Sequence, residues 1–324
     1  MTIPIGICMA TFNGAMFLHA QLASIAAQIH TNWHLYIRDD GSQDESRQIA
    51  MTFAEQHPGR VTFVQDDGER LGVKGNFACL MQRVREPYIA FSDQDDIWHP
   101  DKLAQAAMGM RRTERRLGAG VPVMVHADRR LIDAEGREIA PSYWASRGLD
   151  AARFNLGTCL AFCLAAGSTM LINRALLERA LPVPEAARMH DTWLELVAHA
   201  FGDVTVLDEI ALDFRRHGAN ASGSAIEIDS HPHRRFTARA KRFLKGMDVQ
   251  RRIYTGYVDQ AAAFQQRYGA ALASDDQRRL ARFLALPRRG VVGRLIALGW
   301  PGATPPGLLR QVALVLALPR LRAA

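Results

Sequence analysis

Apolar and polar positions alternate along the chain in two different periods. Short apolar stretches predict strands, and between them apolar residues recur every three or four positions, as on one face of a helix. The predicted strands are residues 3–9, 34–37, 61–65 and 88–91. The first helical face comprises Leu18, Leu22, Ile25 and Ile29. Strands and helices therefore follow one another in regular order.

Two further helices continue this order. Ser42 and Glu45 have the spacing of a capping box and predict a helix that runs toward Gln56. Another helical pattern covers residues 76–84. Strands that alternate with helices predict an α/β fold with a mostly parallel central sheet covered by helices on both faces. In open sheets of this kind, ligands bind beyond the carboxyl ends of the strands.

Length and composition narrow the class of protein. The chain has 324 residues, 48% of them hydrophobic, which suffices for one large domain and an additional segment. The N-terminus lacks the pattern of a secretion signal, and no run approaches the roughly 20 apolar residues that span a bilayer. The four cysteines have neither metal-site nor disulfide spacing. We therefore expect a cytoplasmic protein whose cysteines pack as small apolar residues.

The net charge of +7 conceals two regions of opposite sign. Residues 231–324 contain 18 Lys/Arg and 4 Asp/Glu, whereas residues 1–230 contain 22 and 29. A polar stretch at 218–232 separates them, so we predict one domain at 1–225 and a basic, mainly helical region at 226–324.

The basic segment 234–252 also carries apolar residues, a pattern that suits an anionic membrane surface. Nucleic acid would attract the same charge, but the sequence has no recognised nucleic-acid-binding module. The apolar run VALVLALP near the end is too short to span a bilayer; it would dock in the membrane interface or pack on the body. We expect peripheral attachment to the inner membrane face and no nucleic-acid partner.

Each of the four predicted strands is followed by a polar turn. The turns read ATFNG, RDDGSQD, DDGERLGVKGN and SDQDD. Parallel strands bring them to one edge, where carboxylates, glycines and a lysine could hold a nucleoside diphosphate bridged by Mg²⁺ or Mn²⁺. For the last turn the alternative is a solvated loop before a helix capped near Asp101. P-loop and dinucleotide-binding signatures are absent from the sequence.

These turns and a later pair of residues resemble a known enzyme family. The matching motifs are Thr11-Phe12-Asn13, Asp39-Asp40-Gly41-Ser42 with Asp44, Asp93-Gln94-Asp95-Asp96, and His190-Asp191. Together they resemble the inverting glycosyltransferases of family 2, which have the GT-A fold. Longer segments are similar to bacterial rhamnosyltransferases that build cell-surface polysaccharides from dTDP-L-rhamnose: RLGVKGNF, FSDQDDIWHPDKL, GSTMLINR, MHDTWLELVAHAFG and FRRHGANASG. The resemblance runs from about residue 3 to residue 223.

The resemblance implies a donor site and a metal site. Asp95 would bind the divalent cation, and Asp93 would bind the cation or its water shell and the ribose side. The implied donor-binding residues are Thr11, Phe12, Asn13, Asp39, Asp40, Gly72, Lys74, Asn76, Asp93, Arg216 and His217. Phe12 and Phe214 stand where the family usually has tyrosine, so a contact that needs the phenolic hydroxyl is absent or supplied otherwise.

Several of these residues keep a structural alternative. Asp40 would hydrogen-bond the uracil or thymine ring, whereas Asp39 could equally bond its own turn. The segment 72–76 would form a loop that closes over the nucleotide, or an ordinary flexible loop. One or two residues of 215–217 would meet the diphosphate or the metal, or form a solvated basic turn.

Asp191 is the candidate general base. It would take the proton of the acceptor hydroxyl while the nucleoside diphosphate leaves from the opposite side of the sugar. The alternative is an N-cap aspartate, and one residue could do both. The implied acceptor-binding residues are Asp96, Trp98, His190 and Trp193. Asp96 could instead orient its own turn.

The sequence thus predicts a metal-dependent inverting sugar transferase. A dTDP-L-rhamnose donor is favoured over UDP-glucose, UDP-galactose or a similar nucleotide sugar, and the acceptor would be a glycan or a lipid-linked glycan. The second hypothesis is a catalytically idle glycan-binding scaffold with the same fold. Asp40, Asp95 and Asp191 argue against it, because a binding protein needs no metal carboxylate together with a base.

Overall fold

The computed structural model describes residues 2–66, 69–218, 236–298 and 314–318. The chain divides into two compact units. The first comprises Met1–Ala152, Ala165–Val183 and Met189–Arg216, and the second comprises Arg153–Leu164, Pro184–Arg188 and His217–Ala324. Most of the predicted boundary stretch, at 219–232, lies outside the described residues, so the limits at 225 and 226 stay a prediction.

The first unit contains the strands and most of the shorter helices. Its strands are β1 (Ile5–Thr11), β2 (Trp33–Asp39), β3 (Val61–Phe63), β4 (Tyr88–Ser92), β5 (Ile97–Trp98), β6 (Val123–Ile132), β7 (Glu138–Ala140), β8 (Met170–Asn173) and β9 (Asp203–Arg215). Its helices are α1 (Ala15–Ala26), α2 (Ser46–Gln56), α3 (Gly72–Arg83), α4 (Lys102–Leu117), α5 (Tyr143–Ser146), α7 (Arg174–Ala180) and α8 (His190–Phe201). The helix α6 (Leu156–Cys159) belongs to the second unit.

One sheet joins these strands in the order β3-β2-β1-β4-β8-β6-β9-β5, with β7 paired to β6. The four strands β3, β2, β1 and β4 are parallel, as the strand–helix order predicted. Beyond them β8 is antiparallel to both β4 and β6, while β9 runs parallel to β6. The sheet is therefore mixed, and its parallel part is the N-terminal half.

The core forms where the sheet meets its helices. Ile5, Ile7 and Met9 of β1 are fully buried, as are Leu18 and Ile25 on the predicted face of α1. Burial of apolar side chains at these alternating and helical spacings is what stabilises the layers.

Ile29 was assigned to the same helical face, and this prediction is wrong. The helix α1 ends at Ala26, and the side chain of Ile29 is 64% exposed. The periodicity of apolar residues thus continued for one turn beyond the hydrogen-bonded helix.

The second unit is helical. Its longer helices are α9 (Phe236–Tyr268), α10 (Ser274–Ala285) and α11 (Val291–Leu298). Within the apolar run VALVLALP, Leu314, Val315 and Leu318 are buried, and the Arg294 side chain donates hydrogen bonds to the carbonyl oxygens of Val315 and Leu318 at 2.9 and 2.6 Å. The described part of the run, residues 314–318, therefore packs within its own unit. None of the helices in the described ranges is both long and apolar enough to cross a bilayer.

Candidate active site

The parallel strands bring the predicted turns to one edge of the sheet. Thr11 at the end of β1 is in register with Asp39 at the end of β2, and Met9 is in register with Ser92 at the end of β4. The turns that follow these three strands are consequently neighbours, as expected from the parallel order.

We call Asp39 and Asp40 the turn cluster. The Asp39 carboxylate accepts hydrogen bonds from the Thr11 hydroxyl at 3.0 Å, the Ser42 hydroxyl at 2.5 Å, and the backbone N–H groups of Ser42 and Gly41 at 2.9 and 3.2 Å. Asp39 is 3% exposed and Thr11 is 1% exposed. Both side chains thus shape the turn, which is the structural alternative; contact with a donor stays a prediction for each.

The predicted capping box is wrong. The Ser42 hydroxyl bonds Asp39 and accepts from the Asn13 N–H at 2.9 Å, and the helix α2 begins at Ser46. Ser46 is held instead by Asp44, whose carboxylate accepts from the Ser46 N–H at 3.0 Å and from the Ala15 N–H at 3.0 Å. The Asp39 carboxylate is a strong acceptor close to Ser42. The Ser42 hydroxyl therefore donates to Asp39 and does not cap the helix.

Asp40 is paired with a buried arginine. Arg38, whose side chain is 1% exposed, donates from Nη1 to Asp40 at 2.7 Å and from Nε to Asp66 at 2.5 Å. The Asp40 carboxylate also accepts from the backbone N–H groups of Leu71 and Gly72, both at 2.8 Å. Asp40 therefore fixes the start of α3, and its contact with a pyrimidine ring stays a prediction.

The segment 72–76 is helical, so the loop prediction for Gly72, Lys74 and Asn76 is wrong. All three lie in the first two turns of α3, which begins at Gly72 with φ +67°, a conformation that glycine adopts without steric cost. Asn76 is 2% exposed and donates from Nδ2 to the Arg38 carbonyl oxygen at 3.1 Å. Asn76 thus joins the helix to β2.

Gln94, the middle residue of the D-x-D motif, links two turns. The Phe12 N–H donates to Gln94 Oε1 at 2.8 Å, and Gln94 Nε2 donates to the Phe12 carbonyl oxygen at 2.9 Å. A Cβ atom at Gly14 would lie 2.2 Å from the Gln94 side chain, so the absence of a side chain at Gly14 makes room for this pair of bonds. The Arg70 guanidinium lies 4.2 Å from the centre of the Phe12 ring. No sequence motif predicts a role for Gln94 or Arg70, because only the fold brings them to Phe12.

We call Asp93, Asp95, Asp96 and Asp191 the crowded cluster. Burial and the carboxylates of Asp95 and Asp191 raise the pKa of Asp93 to about 7, although the positive charge of Arg129 opposes this shift. Burial and the carboxylates of Asp93 and Asp95 likewise raise the pKa of Asp96 well above its ordinary value. Because the carboxylates of Asp95 and Asp191 both act on Asp93, the structure brings the predicted metal residues and the predicted base together.

Asp191 lies in the first turn of α8, after the N-cap residue Met189. The prediction that Asp191 is the N-cap is therefore wrong by two positions. Its carboxylate accepts from the Thr192 N–H at 2.6 Å and from the Gly167 N–H at 3.3 Å, and it remains half-buried. The N–H groups of Gly167 and Thr192 thus hold the Asp191 carboxylate at the start of α8.

Two of the four predicted acceptor residues are core residues. Trp193 is fully buried and its Nε1–H donates to the Ala180 carbonyl oxygen at 2.9 Å. Trp98 is 2% exposed, and the Lys102 ammonium lies 3.6 Å from the centre of its ring. Both side chains are packed against the protein itself, and contact of either one with an acceptor stays a prediction.

His190 and Asp96 are also buried. His190 stacks on Phe77 with ring centres 4.0 Å apart, and burial lowers its pKa. Among the described residues, neither ring nitrogen of His190 has a hydrogen-bond partner. A hydrogen bond with the Ser168 hydroxyl opposes the rise in the pKa of Asp96. A Cβ atom at Gly167 would lie 2.9 Å from His190 Nε2. Contact of His190 and Asp96 with an acceptor stays a prediction.

The basic residues after β9 have different surroundings. Arg215 is 6% exposed; its N–H donates to Asp96 Oδ1 at 3.4 Å and its Nε donates to the Asp95 carbonyl oxygen at 3.2 Å. Arg215 therefore holds the D-x-D turn. The Arg216 N–H donates to the Ile132 carbonyl oxygen at 2.8 Å, and His217 is the first residue of the second unit's last segment. Binding of the diphosphate by Arg216 and His217 stays a prediction.

The residues present fit a divalent cation. Burial and the carboxylates of Asp95 and Asp191 raise the pKa of Asp93, and the buried carboxylate of Asp96 belongs to the same crowded cluster. Hard cations such as Mg²⁺ and Mn²⁺ bind carboxylate oxygens, and their charge would offset the repulsion among these groups.

The chain is similar in sequence to glycosyltransferases of other organisms. An uncharacterized glycosyltransferase of Nostoc sp. is 30% identical over 232 residues, a match that covers 70% of this chain and 69% of the relative. The dTDP-rhamnosyl transferase RfbG of Shigella flexneri is 36% identical over 101 residues, which are 30% of this chain and 35% of that protein.

A solved structure shares the fold. It is the mannosyltransferase PcManGT from Pyrobaculum calidifontis in complex with GDP-Man and Mn²⁺, which matches 97% of this chain and 85% of its own with a TM-score of 0.53 at 16% identity. The predicted GT-A fold is thereby confirmed. Residues 6–179, more than half of the chain, match the family described as Glycosyl transferase family 2. The chain therefore belongs to glycosyl transferase family 2 and is a glycosyltransferase that moves a sugar from a nucleotide sugar.

Proposed function

We propose that the protein is a metal-dependent inverting glycosyltransferase whose favoured donor is dTDP-L-rhamnose. The observation that carries this proposal is the crowded cluster. In it, the charges of the half-buried Asp191 and of Asp95 both act on the buried carboxylate of Asp93. Such a cluster is costly in a folded protein and is typical of sites that bind a cation and move a proton.

In this reaction Asp191 acts as the general base. The acceptor hydroxyl oxygen attacks the anomeric carbon as the bond from that carbon to the diphosphate oxygen breaks. The hydroxyl proton passes to the Asp191 carboxylate, and the bonding electrons leave with the nucleoside diphosphate. The Gly167 and Thr192 N–H groups hold the carboxylate in place for this transfer.

Asp95 and Asp93 would hold Mg²⁺ or Mn²⁺. When bound, the cation supplies a Lewis acid for the charge that develops on the leaving diphosphate. Arg215 and Gln94 position these carboxylates, because they tie the D-x-D turn to β9 and to the turn after β1. PcManGT is described as binding GDP-Man and Mn²⁺, which supports a cation with a nucleotide sugar here.

The choice of sugar rests on sequence similarity. The relative named as a dTDP-rhamnosyl transferase matches about a third of this chain, and the longer segments around the motifs resemble rhamnosyltransferases. UDP-glucose, UDP-galactose or a similar nucleotide sugar is the alternative donor. A glycan or a lipid-linked glycan is the proposed acceptor.

The proposal includes attachment to an anionic membrane surface through the C-terminal region. Residues 231–324 contain 18 Lys/Arg and 4 Asp/Glu, and the 33-residue helix α9 includes much of the basic segment 234–252. The side chains of 236–247 lie outside the described residues. Cosedimentation with vesicles of anionic lipid should decrease when residues 231–324 are deleted, and also at high salt, because salt screens this attraction.

The decisive experiment measures release of nucleoside diphosphate. The protein is incubated with dTDP-L-rhamnose, UDP-glucose, UDP-galactose and GDP-mannose in the presence of Mn²⁺, with a parallel series in EDTA. We expect release from dTDP-L-rhamnose above the others, loss of release in EDTA, and loss of release in Asp95→Ala. Full activity in EDTA contradicts the cation, and binding of donors without any release favours the glycan-binding scaffold.

A further inference from the structure

The Arg129 side chain on β6 packs on two aromatic rings, those of Tyr143 and Phe214, which we call the aromatic clamp. Its guanidinium carbon lies 4.5 Å from the centre of the Tyr143 ring and 4.2 Å from the centre of the Phe214 ring. A guanidinium packed on two rings keeps its charge while it loses rotational freedom. The residue is half-buried, so the side chain combines a fixed position with access to solvent.

Hydrogen bonds of the surrounding chain fix both rings. The buried Asp128 accepts from the Ser142 hydroxyl and, at 3.2 Å, from the Trp144 N–H, so Tyr143 is held between two anchored residues. Phe214 directly precedes Arg215, whose N–H donates to Asp96. The aromatic clamp is thus joined to the same turn that carries the crowded cluster.

The guanidinium of Arg129 makes no hydrogen bond or ion pair with any residue in the described ranges. The neighbouring Arg130 differs, because it binds both carboxylate oxygens of Asp213 at 2.7 Å. The charge of Arg129 lowers the pKa of Asp93 and of Asp96, which places it close to the crowded cluster without a carboxylate of its own. Its N–H donors are therefore available to an anion.

We propose that Arg129 binds the diphosphate of the nucleotide sugar and of the departing nucleoside diphosphate. This inference rests on the proposed function, in which a diphosphate is the anion that enters the site. The fork of N–H groups in arginine matches phosphate oxygens, and a clamped side chain presents that fork with little further loss of freedom. The phenyl ring of Phe214 supplies the ring face that this clamp uses, so the clamp does not require the tyrosine hydroxyl that the family usually has there.

The test compares binding of a nucleoside diphosphate with binding of the nucleoside alone. Calorimetry with Mn²⁺ first identifies which of dTDP, UDP and GDP the wild type binds most tightly. For that ligand we expect Arg129→Gln to raise the Kd by about tenfold to a hundredfold, as for the loss of charge-assisted hydrogen bonds, and to leave the Kd of the matching nucleoside unchanged. A structural role would weaken both ligands equally.

Further variants separate the contribution of the arginine N–H geometry to binding from those of its positive charge and of the aromatic contacts. Arg129→Lys keeps the charge and loses the fork, so we expect an intermediate Kd. Tyr143→Leu and Phe214→Leu should each raise the Kd by less than Arg129→Gln does. Arg116→Gln removes an exposed arginine that pairs with Asp203, and it serves as the matched control with an unchanged Kd.

The outcomes distinguish this inference from the proposed function. Equal Kd values for the wild type and both Arg129 variants overturn the role of Arg129 and leave the transferase proposal intact. A wild type that binds none of the three nucleoside diphosphates overturns both. Thermal unfolding of each variant is measured beside the wild type, so that a folding defect in Arg129→Gln is recognised and Arg129→Lys then decides the result.

Discussion

Two groups of carboxylates lie at the same edge of the sheet. Asp39 ends β2 and Asp40 follows it, whereas β4 is followed by Asp93, Asp95 and Asp96. The turn cluster is satisfied by the chain itself, through N–H groups, hydroxyl groups and Arg38. In the crowded cluster, burial and neighbouring carboxylates instead raise the pKa of Asp93 to about 7 and that of Asp96 well above its ordinary value. Motif and residue type are alike in the two clusters, but their surroundings differ: Asp40 is paired with the buried Arg38, whereas Asp93 lies among other carboxylates.

The largest difference between the two clusters is expected at Asp191, the proposed general base. Asp191→Asn should lower turnover by about 10²–10⁴, because an amide cannot take the hydroxyl proton, while the free energy of unfolding should change little. The amide oxygen can still accept from Gly167 or Thr192. Turnover is measured as release of nucleoside diphosphate with saturating donor and Mn²⁺.

The pH profile provides the control for this variant. The acidic limb of the wild-type profile should report a carboxylate and should vanish in Asp191→Asn. Near-normal turnover of the variant would move the role of base to Asp96 and leave Asp191 as a residue of the first helical turn.

The turn cluster should respond in the opposite way, with stability rather than chemistry. Asp39→Ala removes the acceptor of the Thr11 and Ser42 hydroxyl groups and leaves buried donors unpaired. We expect the free energy of unfolding in urea to fall by roughly 2–4 kcal/mol. Asp208→Ala, at an exposed position, should leave it nearly unchanged. An Asp39→Ala variant of full stability that no longer binds nucleotide would contradict a structural role for Asp39.

Burial shifts the pKa of side chains outside both clusters as well. Two histidines test the size of this effect on stability. Burial lowers the pKa of His126 to about 3 and that of His199 to about 4. Below their ordinary value of 6.5 the unfolded chain binds protons that the folded chain does not, so their stabilisation is present above pH 6.5 and is lost as the pH falls.

At pH 5 we expect the loss to be about 2 kcal/mol per histidine relative to pH 7, measured by urea unfolding at both values. His126→Phe should reduce this pH dependence, while His19→Gln, at an exposed position, should not. An unchanged slope in His126→Phe would contradict the assignment.

The smallest expected effect has an unusual sign. Asp93→Asn removes one charge from the crowded cluster, so the protein in EDTA should gain up to about 1 kcal/mol in free energy of unfolding at pH 8. The same variant should bind Mn²⁺ more weakly, which titration calorimetry measures. Lower stability of the variant in EDTA would show that the carboxylates are compensated in the folded protein.

The parallel half of the sheet was predictable because its signals are local. Alternating apolar residues in β1 and the helical spacing of Leu18, Leu22 and Ile25 report burial directly. The predictions failed where two local partners compete for one group. Ser42 has the spacing of a helix cap, but the neighbouring carboxylate of Asp39 takes its hydroxyl.

Other parts of the site depend on contacts between distant segments. Trp98 and Trp193 lie beside motif residues in the sequence, yet their side chains point into the core. The clamp on Arg129 brings Tyr143 and Phe214 together from separate elements, and no spacing in the sequence indicates it. Adjacency along the chain indicated which carboxylates come together but could not assign direction to the bulky side chains around them.

The double hydrogen bond between Gln94 and the Phe12 backbone makes the middle position of the D-x-D motif a part of the first turn as well. Since a Cβ at position 14 would lie on the amide end of Gln94, a side chain there would displace that amide from the Phe12 backbone and separate the two turns. A redesign of the turn after β1 therefore has to treat positions 14 and 94 as one unit, either with glycine kept at 14 or with another link between the turns.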